Sequence, residues 1–242
     1  MGGQLLALRI PHYFPPERSP ELVEALKRRF KVNAYERATN LNRIGTPFVN
    51  ARGNEAVREL YLASAPDFLR ELRAVCNVCA WPIDRLRLEM DELWPAGSVT
   101  LKIDGRTCFV GLTRIFENGS FARPHQDSLR RDGPDLIIAR SIKDQLAANI
   151  YLDKADAGGV LQLWSRRLPD DEYEAMKQAG GHGIDPESLG APDAQIAPEV
   201  GDLILFRSSH LHAVSKIEGR PRVAASAFIG YWGAQEPLRF WS

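Results

Sequence analysis

The sequence predicts an α+β protein in which a helical layer packs against a β-sandwich, and three observations carry that prediction. In the first hundred positions apolar residues recur at helical spacing, as in Leu22, Leu26 and Phe30, or in Ile83, Leu86, Met90 and Leu93. From Val99 onward the period becomes that of strands, in runs separated by turn-forming residues. No internal repeat or low-complexity segment interrupts this order, and helices followed by strands is the pattern of a layered α+β domain. The 242 residues are read as one domain, 1–242, with 1–98 as mainly helical support and 99–242 as the β-core.

In chain order, residues 4–14 predict a strand leading to a proline turn. Ser19-Pro20-Glu21 predicts a helix start, with Ser19 as N-cap and Pro20 at the first helical position. Residues 31–53, rich in Asn, Thr and Gly, read as irregular and as part of a substrate entrance. A helix is expected at 54–64, and another from Pro66 to Cys79 with Phe68, Leu72, Val75 and Cys79 on its buried face. A third starts at Pro82 and is stopped by Pro95-Ala96-Gly97. Strands are expected at 99–103, 107–116, 146–152, 159–164, 202–206 and 222–231. The polar stretch 165–198, with Gly180-Gly181-His182-Gly183, reads as a flap over the site.

Composition narrows the function classes. Hydrophobic residues make up 44% and charged residues 26%, ordinary for a globular protein with a core. The 31 basic residues equal the 31 acidic ones, which gives no support for nucleic acid or an anionic membrane as partner. No apolar run reaches a membrane span, and the first ten residues lack the features of a signal peptide, so a cytoplasmic location is expected. Three cysteines fit a reducing compartment. Cys76 and Cys79 form a Cys-x-x-Cys without a second pair at zinc spacing, and are read as two small core residues.

The chemistry centres on Arg123-Pro124-His125-Gln126-Asp127. In an extended chain His125 and Asp127 project to one side and Gln126 to the other, so an imidazole and a carboxylate stand together as half of a metal site. A second histidine completes the two-histidine, one-carboxylate arrangement that holds non-haem Fe(II). The run from Gly201-Asp202 through Leu203-Ile204-Leu205-Phe206 supplies His210 and His212. Both fall on one face of an extended strand, so alternation alone does not choose between them.

Taken together these motifs resemble the Fe(II)/2-oxoglutarate-dependent oxygenases, on their prolyl-hydroxylase-like side. The shared pattern is His-x-Asp, then Tyr151-Leu152 with a Gly158-Gly159 turn, then Gly201 to Phe206, His212-Ala213-Val214, and Arg222 ten residues further on. The resemblance covers residues 110 to 232. It implies a double-stranded β-helix (jelly roll) core with an N-terminal helical layer. It implies His125, Asp127 and His212 as metal ligands and catalytic residues, with Fe(II), 2-oxoglutarate and O2 as cofactors and ascorbate as a reductant. Arg222, rather than Arg220, and Tyr151 are implied as the 2-oxoglutarate clamp, a planar guanidinium being suited to a carboxylate. Ser226 shares a face with Arg222 and adds a hydroxyl.

Candidate substrate-binding residues are Arg114, Asn149 and Trp232. Arg114, a cation in an apolar strand, is either a substrate-carboxylate clamp or half of an internal ion pair. Asn149 shares a face with Tyr151, and Trp232 either closes the pocket or covers the core. The helix from Pro82 to Gly97 and the stretch Gly111 to Arg114 resemble a narrower branch of hydroxylases and halogenases acting on free amino acids. Halogenases of that branch have a small residue in place of the carboxylate, so Asp127 implies hydroxylation of a small molecule, an amino acid or derivative. A peptide or protein hydroxylase and a non-catalytic metal-binding jelly-roll module are the alternatives.

Overall fold

A computed structural model describes residues 5–35, 38–76, 80–177 and 183–242. Strand β1 (Ala7–Ile10) precedes helix α1 (Ser19–Arg29), and β2 (Asn33–Tyr35) and β3 (Ala38–Ile44) precede helices α2 (Glu55–Val75) and α3 (Pro82–Leu93). The short strands β4 (Ser98–Thr100), β5 (Lys102–Ile103) and β6 (Arg106–Thr107) lead to β7 (Leu112–Phe116) and β8 (Ala122–His125). Two single-turn helices, α4 (Leu129–Asp132) and α5 (Ile137–Arg140), come before β9 (Asp144–Asp153), β10 (Ala157–Gly158) and β11 (Leu161–Leu163). After helix α6 (Asp170–Met176) come β12 (Ala194–Ile196), β13 (Leu203–Arg207), β14 (His212–Val214), β15 (Ile217–Glu218), β16 (Arg222–Tyr231) and β17 (Leu238–Trp241).

Two sheets make the jelly-roll core. The larger runs β1-β13-β9-β16-β7-β3-β2, with β17 and β4 attached beside β16, and the smaller runs β12-β11-β14-β8. Alternation along the two central strands divides the interior. Ala148, Ile150 and Leu152 of β9, with Val223, Ala225 and Ala227 of β16, face a core shared with Leu26, Leu72, Ile83 and Leu86 of the helices. Ala147 and Tyr151, with Ala224, face the small sheet and pack with Leu161, Leu163, Ile204 and Phe206. Full burial of a side chain such as Leu72 or Ile83 contributes about 1.5–3 kcal/mol, which ties the helical layer to the outer face of the large sheet. The inner face is left for the site.

Several elements differ from expectation, each for a local reason. The helices expected at 54–64 and from Pro66 are one helix, α2, with Pro66 inside it. Pro66 lies on the exposed side, while Tyr61, Leu62, Ala65, Leu69 and Leu72 form an unbroken buried stripe whose packing outweighs the roughly 3 kcal/mol cost of an interior proline. Asn54 caps this helix, its side chain accepting from the Val57 N–H at 3.1 Å. Ser19 does not act as an N-cap, because a 3₁₀ turn over Pro16–Arg18 runs straight into α1 and buries its hydroxyl without a partner. Leu93 is exposed, so the stripe of α3 ends before it.

Residues 31–53, expected as irregular, contain β2 and β3, and β3 pairs with β7. Their polar residues hid the strand. Within 165–198, residues 194–196 form β12 at the edge of the small sheet, so that part is core rather than flap. Leu168 and Tyr173 of the same segment are buried. Cys79, and His182 with the rest of residues 178–182, lie outside the described residues.

Candidate active site

The small sheet brings the proposed ligands together. His125 ends β8, His212 begins β14, and the two are register partners, with ring centroids 4.2 Å apart. Asp127 follows two residues after His125, its N–H donating to the Ser208 carbonyl at 2.8 Å. One ligand atom from each of His125, Asp127 and His212 lies within 4.8 Å of the others, the one such cluster among the described residues. Asp127 Oδ2 is 3.4 Å from His212 Nε2.

These residues fit a metal ion on their own chemistry. The Nδ1 atoms of His125 and His212 lie 2.8 and 2.9 Å from the carbonyls of Arg123 and His210, which suits Nδ1–H donors and leaves Nε2 as the nitrogen each ring offers a metal. Asp127 Oδ2 is buried without a hydrogen-bond partner, an arrangement that a bound cation would satisfy. Burial pushes the Asp127 carboxyl up, but the His212 contact and the nearby charges of His125, His212 and Arg114 hold it well below the usual carboxylate range. Gln126 points the other way, as alternation requires. Its amide donates to the Leu168 carbonyl and accepts from the Leu168 N–H, pinning the following segment to the ligand strand.

A second polar group lies on the inner face of the large sheet. Arg222 starts β16 and is buried, its Cζ 4.4 Å from the Phe116 ring centroid and 5.4 Å from that of Tyr151. One guanidinium nitrogen, Nη1, donates to the Gly159 carbonyl at 2.8 Å, while Nε is buried with no acceptor. The turn that presents this carbonyl needs glycine. Gly158 has φ +72°, and a Cβ there would lie 1.8 Å from the Lys216 oxygen. Tyr151 Oη, Asn149 Oδ1 and Ser226 Oγ are likewise buried without partners. Register places them side by side, Ser226 opposite Asn149 and Ala224 opposite Tyr151. A buried cation beside Tyr151, its pKa lowered by burial and its Nε lacking an acceptor, is a ready site for a carboxylate.

The remaining candidates separate. His210 does not join the cluster, and its carbonyl serves as the acceptor for His212. Arg220 is exposed and ion-paired with Asp156 at 2.9 Å, whereas Arg222 faces inward. Arg114 forms no ion pair among the described residues. Trp232 is not brought into either polar group. Its N–H donates to the Ile138 carbonyl and its ring packs near Trp241 beneath Arg239, which makes it part of the core.

Two further groups were missed in the sequence. Arg43 of β3 stands opposite Arg114, a position hidden by the irregular reading of 31–53. Asp132 of α4 is half-buried near Asp127, and burial, then the charge of Asp127, push its carboxyl up to about 7. Its place after the His-x-Asp motif was the only signal available.

Comparison with known proteins identifies a family and relatives. Residues 110–242 match the family described as carrier-protein-independent halogenase WelO5. The chain is 32% identical over 165 residues to an L-gamma-glutamyl-L-propargylglycine hydroxylase of Streptantibioticus cattleyicolor, covering 66% of this chain and 59% of that protein. It is 28% identical over 137 residues to an L-isoleucine 3(1)-dioxygenase of Pantoea ananatis, covering 52% of this chain and 45% of that one. The chain thus spans about half the length of the curated relatives it matches. In fold it is similar to an N-substituted L-amino acid dioxygenase of Burkholderia ambifaria, with TM-score 0.67, 19% identity, and coverage of 98% of this chain and 86% of that one. With more than half of its residues matched, this chain belongs to the carrier-protein-independent halogenase WelO5 family, within the Fe(II)/2-oxoglutarate-dependent oxygenases.

Proposed function

We propose that the protein is an Fe(II)- and 2-oxoglutarate-dependent hydroxylase acting on an unactivated C–H bond of a small molecule, an amino acid or derivative. The observation that carries the reading is Asp127, a carboxylate that completes the ligand cluster where a halogenase needs a vacancy for halide. His125, Asp127 and His212 would hold the metal, and Arg222 with Tyr151 and Ser226 would hold the distal carboxylate of 2-oxoglutarate. Arg114 and Asn149 would face the substrate. The metal, once bound with 2-oxoglutarate, supplies O2-dependent oxidation of the C–H bond, with succinate and CO2 as co-products. The protein's own part is to fix geometry and exclude water around the inner face of the large sheet.

The relatives named as hydroxylase and dioxygenase of amino acid compounds support the substrate class. A non-catalytic metal module is disfavoured by Arg222, since a metal site alone has no use for a buried cation whose Nε lacks an acceptor. The described residues include no helix long and apolar enough to cross a membrane, and the cytoplasmic placement remains part of this proposal.

The test is product mass. A substrate found by screening amino acids and their γ-glutamyl derivatives should gain one oxygen atom, derived from labelled O2, at any chloride or bromide concentration. Asp127→Gly should stop the reaction. A halogenated product from the unaltered protein would mean that Asp127 is not a metal ligand, and would overturn the proposal.

A further inference from the structure

The ligand residues project to one side of the small sheet, and one stretch of chain covers the other side of the same strands. Alternation sends Gln126, and the two neighbours of His212, Leu211 and Ala213, away from the cluster. Leu211 and Ala213 pack there with Trp164, Leu168, Tyr173 and Ile184, in a cluster distinct from the core under the helices. Backbone hydrogen bonds join this stretch to both ligand strands beside the ligands. The Trp164 N–H donates to the Leu211 carbonyl and the Leu211 N–H to the Arg166 carbonyl, each at 3.0 Å, and the Ile184 N–H donates to the Pro124 carbonyl at 2.8 Å. The peptide whose N–H meets Arg166 is the one whose carbonyl, that of His210, orients the His212 ring.

Gln126 is the tightest of these ties. It is buried between His125 and Asp127 in sequence, and its side-chain amide takes up both backbone groups of Leu168, donating at 2.9 Å and accepting at 3.0 Å. Its own carbonyl accepts from Arg131 Nη2. The Arg131 guanidinium is buried with its Cζ 4.2 Å from the Tyr173 ring centroid, and Asp170 and Glu174 of α6 stand 3.7 and 4.0 Å from it. Helix α6 and the turn before it are thus fastened to the residue that separates two ligands, by an amide on one side and a buried cation on the other. A flap over the site would meet the inner face, where the ligands point, and these contacts lie on the outer one.

We propose that the described part of the stretch from Trp164 to Ile184 is a brace and not a flap. It backs the ligand strands from outside and fixes the mutual placement of His125, Asp127 and His212, with Gln126 as the positioning residue that links it to them. This rests on the reading of the cluster as a metal site and adds what sets its geometry. Groups that orient metal ligands without touching the metal change its affinity about tenfold to a hundredfold when removed.

The experiment titrates the whole chain with Co(II), reading affinity by calorimetry, ligand geometry by the visible absorption of the bound ion, and backbone hydrogen exchange in residues 164–177. Gln126→Leu should weaken Co(II) binding about tenfold or more, alter the absorption spectrum and speed that exchange. In the unaltered protein Co(II) should slow the same exchange, with 2-oxoglutarate adding little. Tyr173→Ala leaves Gln126 in place and should also weaken Co(II), while Tyr173→Phe, which keeps the ring over Arg131, should recover part of the loss. This pair carries the test if Gln126→Leu does not fold. Arg52→Ala breaks an exposed ion pair of α6, Arg52 to Glu174 at 3.3 Å, and should leave Co(II) affinity within about twofold.

A purely structural role would lower the melting temperature of the Gln126 and Tyr173 variants and leave the Co(II) affinity and spectrum of the folded protein unchanged, which overturns the proposal. So does exchange in 164–177 that ignores Co(II) and slows only with 2-oxoglutarate, the behaviour of a flap. An unaltered protein that binds no Co(II) would overturn the metal reading itself, and the brace with it, so the two failures are told apart.

Discussion

Replacing Arg222 with leucine should separate cosubstrate binding from metal binding. In the structure Nη1 of Arg222 is committed to Gly159, while Nε is buried without an acceptor. A carboxylate accepting from Nε and the neighbouring Nη2 would make two charge-assisted hydrogen bonds, each contributing about 1.5–3 kcal/mol. Losing both costs roughly 3–6 kcal/mol, or about a hundredfold to ten-thousandfold in affinity. Part of this is offset, because the variant no longer buries a cation and because Tyr151 and Ser226 remain to meet the ligand. The expected loss therefore lies toward the lower end, at least about tenfold. Fe(II) affinity should be unchanged, since Arg222 is not in the ligand cluster, and the ligand-free variant should melt no lower than the parent. The assay is an anaerobic titration with 2-oxoglutarate followed by calorimetry, with Fe(II) binding measured separately. An unaltered 2-oxoglutarate titration in Arg222→Leu, with Arg220→Leu defective instead, would refute the reasoning, because Arg220 is exposed and already paired with Asp156.

Two further predictions follow from the same geometry. His212→Ala should abolish Fe(II) binding and turnover while His210→Ala keeps a measurable share of both, because only His212 lies in the ligand cluster; calorimetric metal titration of the two variants decides it, and the reverse order would require a new register for β14. Asp132, with its carboxyl raised to about 7, keeps in the folded state a proton that the unfolded chain loses near pH 4, so its contribution to stability falls as pH rises from about 4 to 7. Asp132→Asn should flatten that slope in the metal-free protein and stabilise it near pH 7.5 by on the order of 1–3 kcal/mol, discounted for partial exposure. Melting curves of the two proteins between pH 5 and 8 that run parallel would show that the carboxyl is not held protonated.

Much of the catalytic pattern was legible because it is local. His125 and Asp127 are two residues apart, and strand alternation alone puts their side chains on one face and sends Gln126 to the other. The Gly158-Gly159 turn entered through the family resemblance, and both glycines have a positive φ that few other residues adopt. The buried faces of α1 and the span of β16 followed from periodicity. The joining of two expected helices across Pro66 did not, because proline's cost is local while the packing that outweighs it comes from distant parts of the chain.

What the sequence by itself determined is the set of chemical groups and their spacing: a His-x-Asp, a later histidine, and an arginine ten residues beyond it. Only the tertiary structure decided which members meet. His210 and His212 are equivalent by alternation, and the pairing of β14 with β8 sets His212 opposite His125. Arg114 read equally well as half of an ion pair. The pairing of β3 with β7 set a second arginine beside it, from a segment whose polar composition concealed a strand. Trp232 looked available for a pocket until its N–H was found bonded to Ile138. The physical reason is common to all of these: periodicity reports which face a side chain occupies, but strand register, set by contacts between residues far apart in the chain, decides what it faces.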